Sequence, residues 1–292
     1  MLYFPAWAKL NLGLKVGAQR PDGYHEIKSV MQTVSLADRV ELEAKDNGIS
    51  LEVVGAELPT DGRNLAVRAA QLVRDRFQVA KGVHIKLTKN IPLAAGLAGG
   101  SADAAAVLYG LNRYWQLNLG LKDLVPLAAD LGSDVPFALL GGTGLAEGRG
   151  EVVSTLVPLP RCYFVLACPP VAVSTAWAYN ELDRTLLDHH HKVDIDALLA
   201  GLERRDLGQI AALLANSFEP VVMAHFPLIR DIKETLLAAG ALAALMSGSG
   251  PTVYGLFAGW EEANAAVSVL DTAATTYVVE PVSVGAGRLI EE

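Results

Sequence analysis

Pro92-Leu93-Ala94-Ala95-Gly96-Leu97-Ala98-Gly99-Gly100-Ser101-Ala102-Asp103 lies between two runs of opposite period. Before it, Val83, Ile85 and Leu87 alternate with His84, Lys86 and Thr88, as in a half-buried strand. After it, Ser101 to Trp115 is rich in alanine and leucine and reads as a helix. The small-residue stretch therefore joins a strand to a helix N-terminus. Such a terminus presents unpaired N–H groups and a partial positive charge, which attract anions. Small residues let phosphates approach the main chain closely, and glycine reaches backbone conformations that other residues avoid. The G-x-G-x-x-G fingerprint of dinucleotide folds does not fit, and the Lys-Ser/Thr ending of a P-loop is missing. On spacing alone, the stretch is equally a tight turn in which Ser101 caps the helix and Asp103 complements its dipole.

Upstream, Tyr3 to Val16 is strand-like, Arg20-Pro21-Asp22-Gly23 is a turn signal, and Ser29 to Leu36 and Arg39 to Ala44 are strand-like. Asp46-Asn47-Gly48 marks a hairpin turn, and Leu65, Ala69, Leu72 and Val73 share one face of a helix over residues 64–77. Downstream, Lys122 to Leu131 is a helix, Gly132-Ser133-Asp134 is a loop before a short apolar segment, and Gly141-Gly142 opens a strand. The two prolines of Val157 to Pro160 place a domain boundary there, giving domains 1–157 and 158–292. Beyond it come a strand (163–167), a helix (175–182), helices over 194–214 and 228–239, strands (242–246 and 252–257), a helix (261–273) and a strand (276–279). Strands and helices do not alternate regularly, which favours an α+β fold over a doubly wound sheet.

The 292 residues are 51% apolar and 19% charged, the profile of a globular chain with a substantial core. A net charge of −8 argues against a broad nucleic-acid surface but leaves room for a nucleotide pocket, which needs only a few local donors. The N-terminal run lacks the basic start and unbroken apolar stretch of a signal peptide. Two uncharged stretches, 162–180 and 235–260, are interrupted by Pro169-Pro170 and by Gly248, Gly250 and Pro251, so they read as core pieces rather than membrane spans. Cys162 and Cys168, six apart in one strand, would sit roughly 20 Å from each other, beyond disulfide reach. With no metal-ligand spacing, a reducing cytoplasm is the natural setting. His189-His190-His191 reads as a solvated loop.

Asp134 sits in a Gly-Ser-Asp-Val-Pro loop between apolar segments, where a carboxylate is expensive to bury without a task. Phosphoryl transfer to an alcohol needs a base that positions the acceptor, and Asp fills that role in kinases. The alternative is a helix cap before a proline. Lys9 lies in an apolar strand beside Trp7, Ala8, Leu10 and Leu12. Either it lies on a solvated face, or it turns inward, where its ammonium would pair with Asp134 and polarise the attacking hydroxyl; Asn11 would share its face. Tyr24-His25 suits stacking on a base and hydrogen bonding to its edge, or a packed surface turn. Ser247-Gly248-Ser249-Gly250 joins two apolar strands as a second anion-friendly loop or a simple turn.

Three of these segments, in order, resemble the GHMP kinase superfamily: Pro5-Ala6-Trp7-Ala8-Lys9-Leu10-Asn11-Leu12, the stretch 92–103, and Ser247-Gly248-Ser249-Gly250-Pro251. Arg20-Pro21-Asp22-Gly23-Tyr24-His25-Glu26, Asp134-Val135-Pro136-Phe137, residues 142–150 and Val173 to Tyr179 are similar to the subgroup acting on a cytidine diphosphate-linked methylerythritol. The resemblance implies a two-domain α+β kinase with its active site in the interdomain cleft, serving non-mevalonate isoprene synthesis in the cytoplasm. It implies Asp134 as base with Lys9 as partner, ATP held by Pro92 to Ala102 with Asn64 near the adenine, and Mg²⁺ on the phosphates. Tyr24 and Tyr179 would sandwich the cytosine, His25 would read its edge, and Thr175 and Asn11 would hold the substrate. The phosphoryl group would pass to the 2-hydroxyl of the methylerythritol.

The chain departs from the family loop at two positions. Ala98 stands where a glycine is usual, which requires a backbone conformation open to a side chain, and Ala102 replaces the second serine, leaving any hydroxyl duty to Ser101. Competing readings are a mevalonate- or homoserine-type kinase, which has no use for a base clamp, and a non-catalytic nucleotide-binding protein, which has no use for both Lys9 and Asp134.

Overall fold

The computed structural model describes residues 2–185, 193–270 and 274–286. The His189–His191 run lies outside the described residues. In chain order come strands β1 (Leu2–Gln19), β2 (His25–Lys45) and β3 (Ile49–Val54), helix α1 (Leu65–Arg76) and strand β4 (Gly82–Thr88). Helices α2 (Gly99–Tyr114), α3 (Leu121–Leu131) and α4 (Val135–Leu140) precede strands β5 (Thr143–Glu147), β6 (Val152–Thr155) and β7 (Tyr163–Cys168). Next are helices α5 (Thr175–Thr185), α6 (Ile195–Glu203) and α7 (Leu207–Ala212), strand β8 (Ala215–Asn216), and helices α8 (Glu219–His225) and α9 (Pro227–Ala238). Strands β9 (Ala243–Met246) and β10 (Val253–Phe257), helix α10 (Trp260–Val267) and strand β11 (Thr275–Val279) complete an α+β fold.

The first sheet runs β3-β4-β2-β1-β8, with β5 also paired to β2 and β6 to β5. Residues 29–36 and 39–44, two strands by their sequence, form parts of one long strand. The first part of β2 pairs with β5 at Ser29–Gln32 and the last with β4 at Arg39–Lys45, so the strand bends from one neighbour to the other. Asp38, at the changeover, is fully buried and accepts hydrogen bonds from the N–H groups of Asn90 and Ile91 at 2.6 and 2.8 Å. Those bonds satisfy a carboxylate that burial would otherwise make costly. The second sheet is antiparallel, in the order β11-β7-β10-β9. Strand β8 joins the first sheet, parallel to β1 at Gly13 and Leu14.

Helices α1 to α4 cover one face of the first sheet around Phe4, Ala6, Val40 and Leu42. A side chain at Gly110 would meet Leu42 and Phe4 at 2.8 and 2.9 Å, so glycine sets how closely α2 packs. A second core combines Leu10 and Leu12 of β1, Ala95 and Leu97, and Phe164, Leu166 and Tyr254 of the second sheet. Tyr254 is wholly buried; burial holds its phenol far above its ordinary pKa, and its neutral hydroxyl donates to the Asn11 carbonyl at 2.9 Å. The segment 92–97 is thus anchored where the two sheets meet. Among the described residues, no helix is long and apolar enough to cross a membrane. Both cysteines are free and buried, and no group of three His, Cys, Asp or Glu residues among those described is placed to hold a metal ion.

Candidate active site

Strand β1 turns Lys9 inward. Its pairing with β2 shifts register between Trp7 and Lys9 and again between Asn11 and Gly13, irregularities that re-aim side chains. The Lys9 side chain is only 7% exposed. Its Nζ donates to Asn11 Oδ1 at 2.7 Å and to the Gly96 carbonyl at 3.4 Å. Asn11 is held in turn, its Nδ2 donating to Ser29 Oγ at 2.8 Å, and Ser29 donating to the Gly13 carbonyl. The Lys9 N–H donates to the Leu97 carbonyl at 3.1 Å, so the strand fixes the small-residue loop beside its own lysine.

Asp134 occupies the residue before α4, yet its carboxylate makes no capping hydrogen bond. The helix-cap alternative fails on that geometry. The carboxylate is a third exposed, and its Oδ2 stands 3.9 Å from Lys9 Nζ.

Helix α2 begins at Gly99, two residues before its expected start, and Ser101 lies inside the first turn rather than capping it. The residue before the helix is Ala98, in a left-handed conformation with φ 56° and ψ 32°. Gly96 has φ 74°, and a Cβ there would lie 2.4 Å from the Ser247 carbonyl oxygen; only glycine fits. Ser247 Oγ donates to the Gly96 carbonyl at 3.2 Å, and Asn216 Nδ2 donates to the carbonyls of Met246 and Gly248, both at 2.8 Å. The second glycine loop therefore packs directly against the first.

Beneath the loop, Asp103 does something other than complement the helix dipole. Lys89 Nζ donates to its Oδ2 at 2.7 Å and also pairs with Asp38, and all three side chains are at most 3% exposed. Burial, opposed by Lys89 and reinforced by Asp38, pushes the Asp103 carboxyl up to about 7. Nothing in the helix pattern singles this triad out. A lysine directly after an alternating strand and just before the small-residue run is the one signal that was available.

On the opposite wall, Tyr24 is 54% exposed, with the Arg149 guanidinium 5.0 Å from its ring centre. His25 is buried, its Nε2 2.9 Å from Asp183 Oδ1, and it stacks on Tyr179 with ring centres 4.7 Å apart. Burial and the negative charge of Asp134 push the Tyr179 phenol up to about 12, so it stays a neutral donor. Thr175 and Ser249 share a hydrogen bond of 2.9 Å between their hydroxyls.

These walls enclose a cleft of about 520 Å³. It is lined by Lys9, Asn11, Tyr24, Pro92 to Ser101, Asp134, Thr175, Tyr179, Gly248 and Ser249, and also by Lys89, Ser133, Arg149 and Phe218. Asn64, His25, Ala102, Ser247 and Gly250 are not among its lining residues. Asn64 caps α1, its Oδ1 accepting from the Ala66 N–H and its Nδ2 donating to the Pro59 carbonyl, both at 2.9 Å. Ala102 is buried in α2, Ser247 supports Gly96, and His25 backs Tyr179.

Comparison with known proteins places this arrangement. Residues 64–142 match the family described as GHMP kinases N terminal domain, and residues 198–276 match GHMP kinases C terminal. The 4-diphosphocytidyl-2-C-methyl-D-erythritol kinase of Geobacillus kaustophilus is 48% identical over 87% of this chain and 88% of its own. That of Pelotomaculum thermopropionicum is 49% identical over 88% of this chain and 90% of its own. A crystal structure of 4-(cytidine 5'-diphospho)-2C-methyl-D-erythritol kinase superposes with a TM-score of 0.82 at 35% identity, covering 96% of this chain and 99% of that one.

Proposed function

Because the chain belongs to the 4-diphosphocytidyl-2-C-methyl-D-erythritol kinase family of GHMP kinases, we infer that it transfers the γ-phosphoryl group of ATP to the 2-hydroxyl of 4-diphosphocytidyl-2-C-methyl-D-erythritol. The observation that carries the mechanism is the meeting of Lys9 Nζ, Asp134 Oδ2 and the Gly96 carbonyl in one cleft. Asp134 takes the proton of the acceptor hydroxyl as its oxygen attacks the γ-phosphorus, and ADP leaves. Lys9, fixed by Asn11 and Gly96, orients Asp134 and offsets the charge that builds on the transferring group. The main-chain N–H groups of residues 96–101 cradle the nucleotide phosphates at the start of α2.

Tyr24 and Tyr179 supply the stacking faces for cytosine, with His25 supporting Tyr179 from behind rather than lining the cleft. Thr175 and Asn11 hold the acceptor, and Asn64 lies on the adenine side. Mg²⁺ in kinases is carried mainly by nucleotide phosphates and waters, so it asks few oxygens of the protein. The cleft offers a lining hydroxyl at Ser101, the residue that would hold the ion. Bound there, Mg²⁺ would neutralise phosphate charge. The same reading divides the chain at 157/158 into two kinase domains, supported by the family models falling one on each side, and places the enzyme in the cytoplasm.

A coupled assay for ADP release tests the assignment, comparing the cytidine-bearing substrate with mevalonate, phosphomevalonate and homoserine. Turnover confined to the cytidine substrate is the expected result. Equal or faster turnover of any of the other three would overturn it.

A further inference from the structure

The cleft contains a cation with no place in that mechanism. Three basic side chains line it: Lys9, Lys89 and Arg149. Lys9 is committed to Asn11, Gly96 and Asp134, and Lys89 to two buried carboxylates. Arg149 is held only by its near end. Its N–H donates to Glu151 Oε2 at 2.7 Å and its Nε to Glu151 Oε1 at 3.4 Å, and among the described residues its two terminal nitrogens have no partner. The turn that carries it is fixed. Gly148 and Gly150 have φ of 70° and 109°, and the Gly148 carbonyl accepts from the Ile27 N–H at 2.8 Å, locking the turn to β2, the strand that begins at His25 directly after Tyr24.

We propose that Arg149 is the specificity-determining residue that reads the diphosphate of the acceptor, an inference that rests on the cytidine assignment above. A cytidine diphosphate substrate brings two phosphates into a cleft whose two lysines are occupied, and the donor phosphates take the main-chain amides of residues 96–101. A guanidinium presents parallel donors that match phosphate oxygens, which a lysine ammonium does not. Its present seat 5.0 Å from the Tyr24 ring centre puts those donors beside the face proposed to hold the base. Glu151 sets the direction of the stem and leaves the fork for the ligand. One side chain thereby couples recognition of the base to recognition of the phosphates attached to it.

Competition by cytidine and by CDP against the acceptor substrate separates this role from a structural one. In the wild-type enzyme CDP should bind more tightly than cytidine by roughly 10- to 100-fold, the range of a charge-assisted pair. In Arg149→Ala and Arg149→Gln that ratio should fall to within about threefold of unity, while the KM for ATP stays unchanged. Glutamine keeps a polar stem over Tyr24, so the two variants together exclude a simple loss of packing. A CDP-to-cytidine ratio preserved in both variants overturns the proposal for Arg149 alone. Failure of both cytidine and CDP to compete in the wild-type enzyme overturns the cytidine assignment and this inference with it.

Discussion

The wall formed by residues 92–101 is main chain held from behind, whereas the wall formed by Tyr24, Arg149 and Tyr179 is side chain held from the flank. Behind the first lie a buried lysine with two carboxylates, the hydroxyl of Ser247 and the apolar anchors Ala95 and Leu97. Beside the second lie a stacked histidine, an aspartate open to solvent and the Glu151 carboxylate that holds the stem of Arg149. On the proposed reading, the difference follows from what each wall would recognise. Phosphate is bound by amides in fixed directions, which demands a rigid backbone; a base is bound by faces and edges, which side chains supply. Lys9 and Asp134 sit at the junction, so the largest effects are expected there.

Asp134→Asn removes the proposed base while keeping the shape of the side chain. We expect kcat to fall by about 10²- to 10⁴-fold, the usual contribution of a general base, with ATP and substrate affinities largely kept. Steady-state kinetics with binding measured separately checks this, and unchanged turnover would remove Asp134 from the mechanism.

Gly96→Ala and Tyr24→Ala then probe the two walls against each other. At Gly96 an added methyl meets the Ser247 and Gly250 carbonyl oxygens at 2.4 and 2.9 Å, and the left-handed φ adds its own penalty. The expected cost is about 2–4 kcal/mol of folding stability together with a raised KM for ATP. Urea unfolding and kinetics would show both. Tyr24, already half in solvent, should leave stability almost unchanged and weaken the cytidine substrate by roughly 5- to 30-fold, equivalent to about 1–2 kcal/mol of stacking, with little effect on ATP. Equal weakening of both ligands would show that Tyr24 is no base clamp.

The same contrast explains what could be read from the chain before its fold was known. The phosphate wall was legible because its chemistry is written in consecutive residues: a strand, a small-residue run, a helix. Lys9 and Asp134 were legible as charges in apolar settings, although pattern alone left a solvated lysine and a helix cap as rivals. Those rivals fell to the inward turn of β1 and to a carboxylate that caps nothing. The triad of Asp38, Lys89 and Asp103 was not legible, since its members stand 51 and 14 residues apart and meet only when β2, β4 and α2 pack together. Arg149 escaped for a related reason. Residues 142–150 stood out only by resemblance, and nothing in them shows that the turn between β5 and β6 brings Arg149 over Tyr24.

The triad gives the phosphate wall a pH dependence of its own. An unfolded aspartate titrates near ~3.9, whereas the Asp103 carboxyl in the fold titrates at about 7. Between those values the folded chain holds a proton that the unfolded chain has released. Asp103 therefore contributes stability that is complete below about pH 4 and is lost as the pH rises through about 7. An asparagine at this position would mimic the protonated form at every pH, so Asp103→Asn should gain stability relative to wild type between about pH 5 and about pH 8. Urea midpoints at the two pH values decide it, and a shift of equal size at both would mean that Asp103 is charged throughout.

The smallest effect is expected at Ala98. Its φ of 56° costs an alanine about 1–2 kcal/mol relative to glycine, and glycine is also the better residue directly before a helix. Against this, glycine raises the conformational entropy of the unfolded chain by the equivalent of about 0.4–1 kcal/mol. The methyl group is only partly buried, so little packing is lost with it. Ala98→Gly should therefore stabilise the enzyme by about 0.5–1 kcal/mol and change kcat less than about twofold, because the carbonyl that accepts from the Ala102 N–H at 3.0 Å stays in place. A fall in Tm would mean that the alanine stiffens the phosphate wall by more than its strained conformation costs, and the two walls would then differ in rigidity by design of a side chain as well as of the backbone.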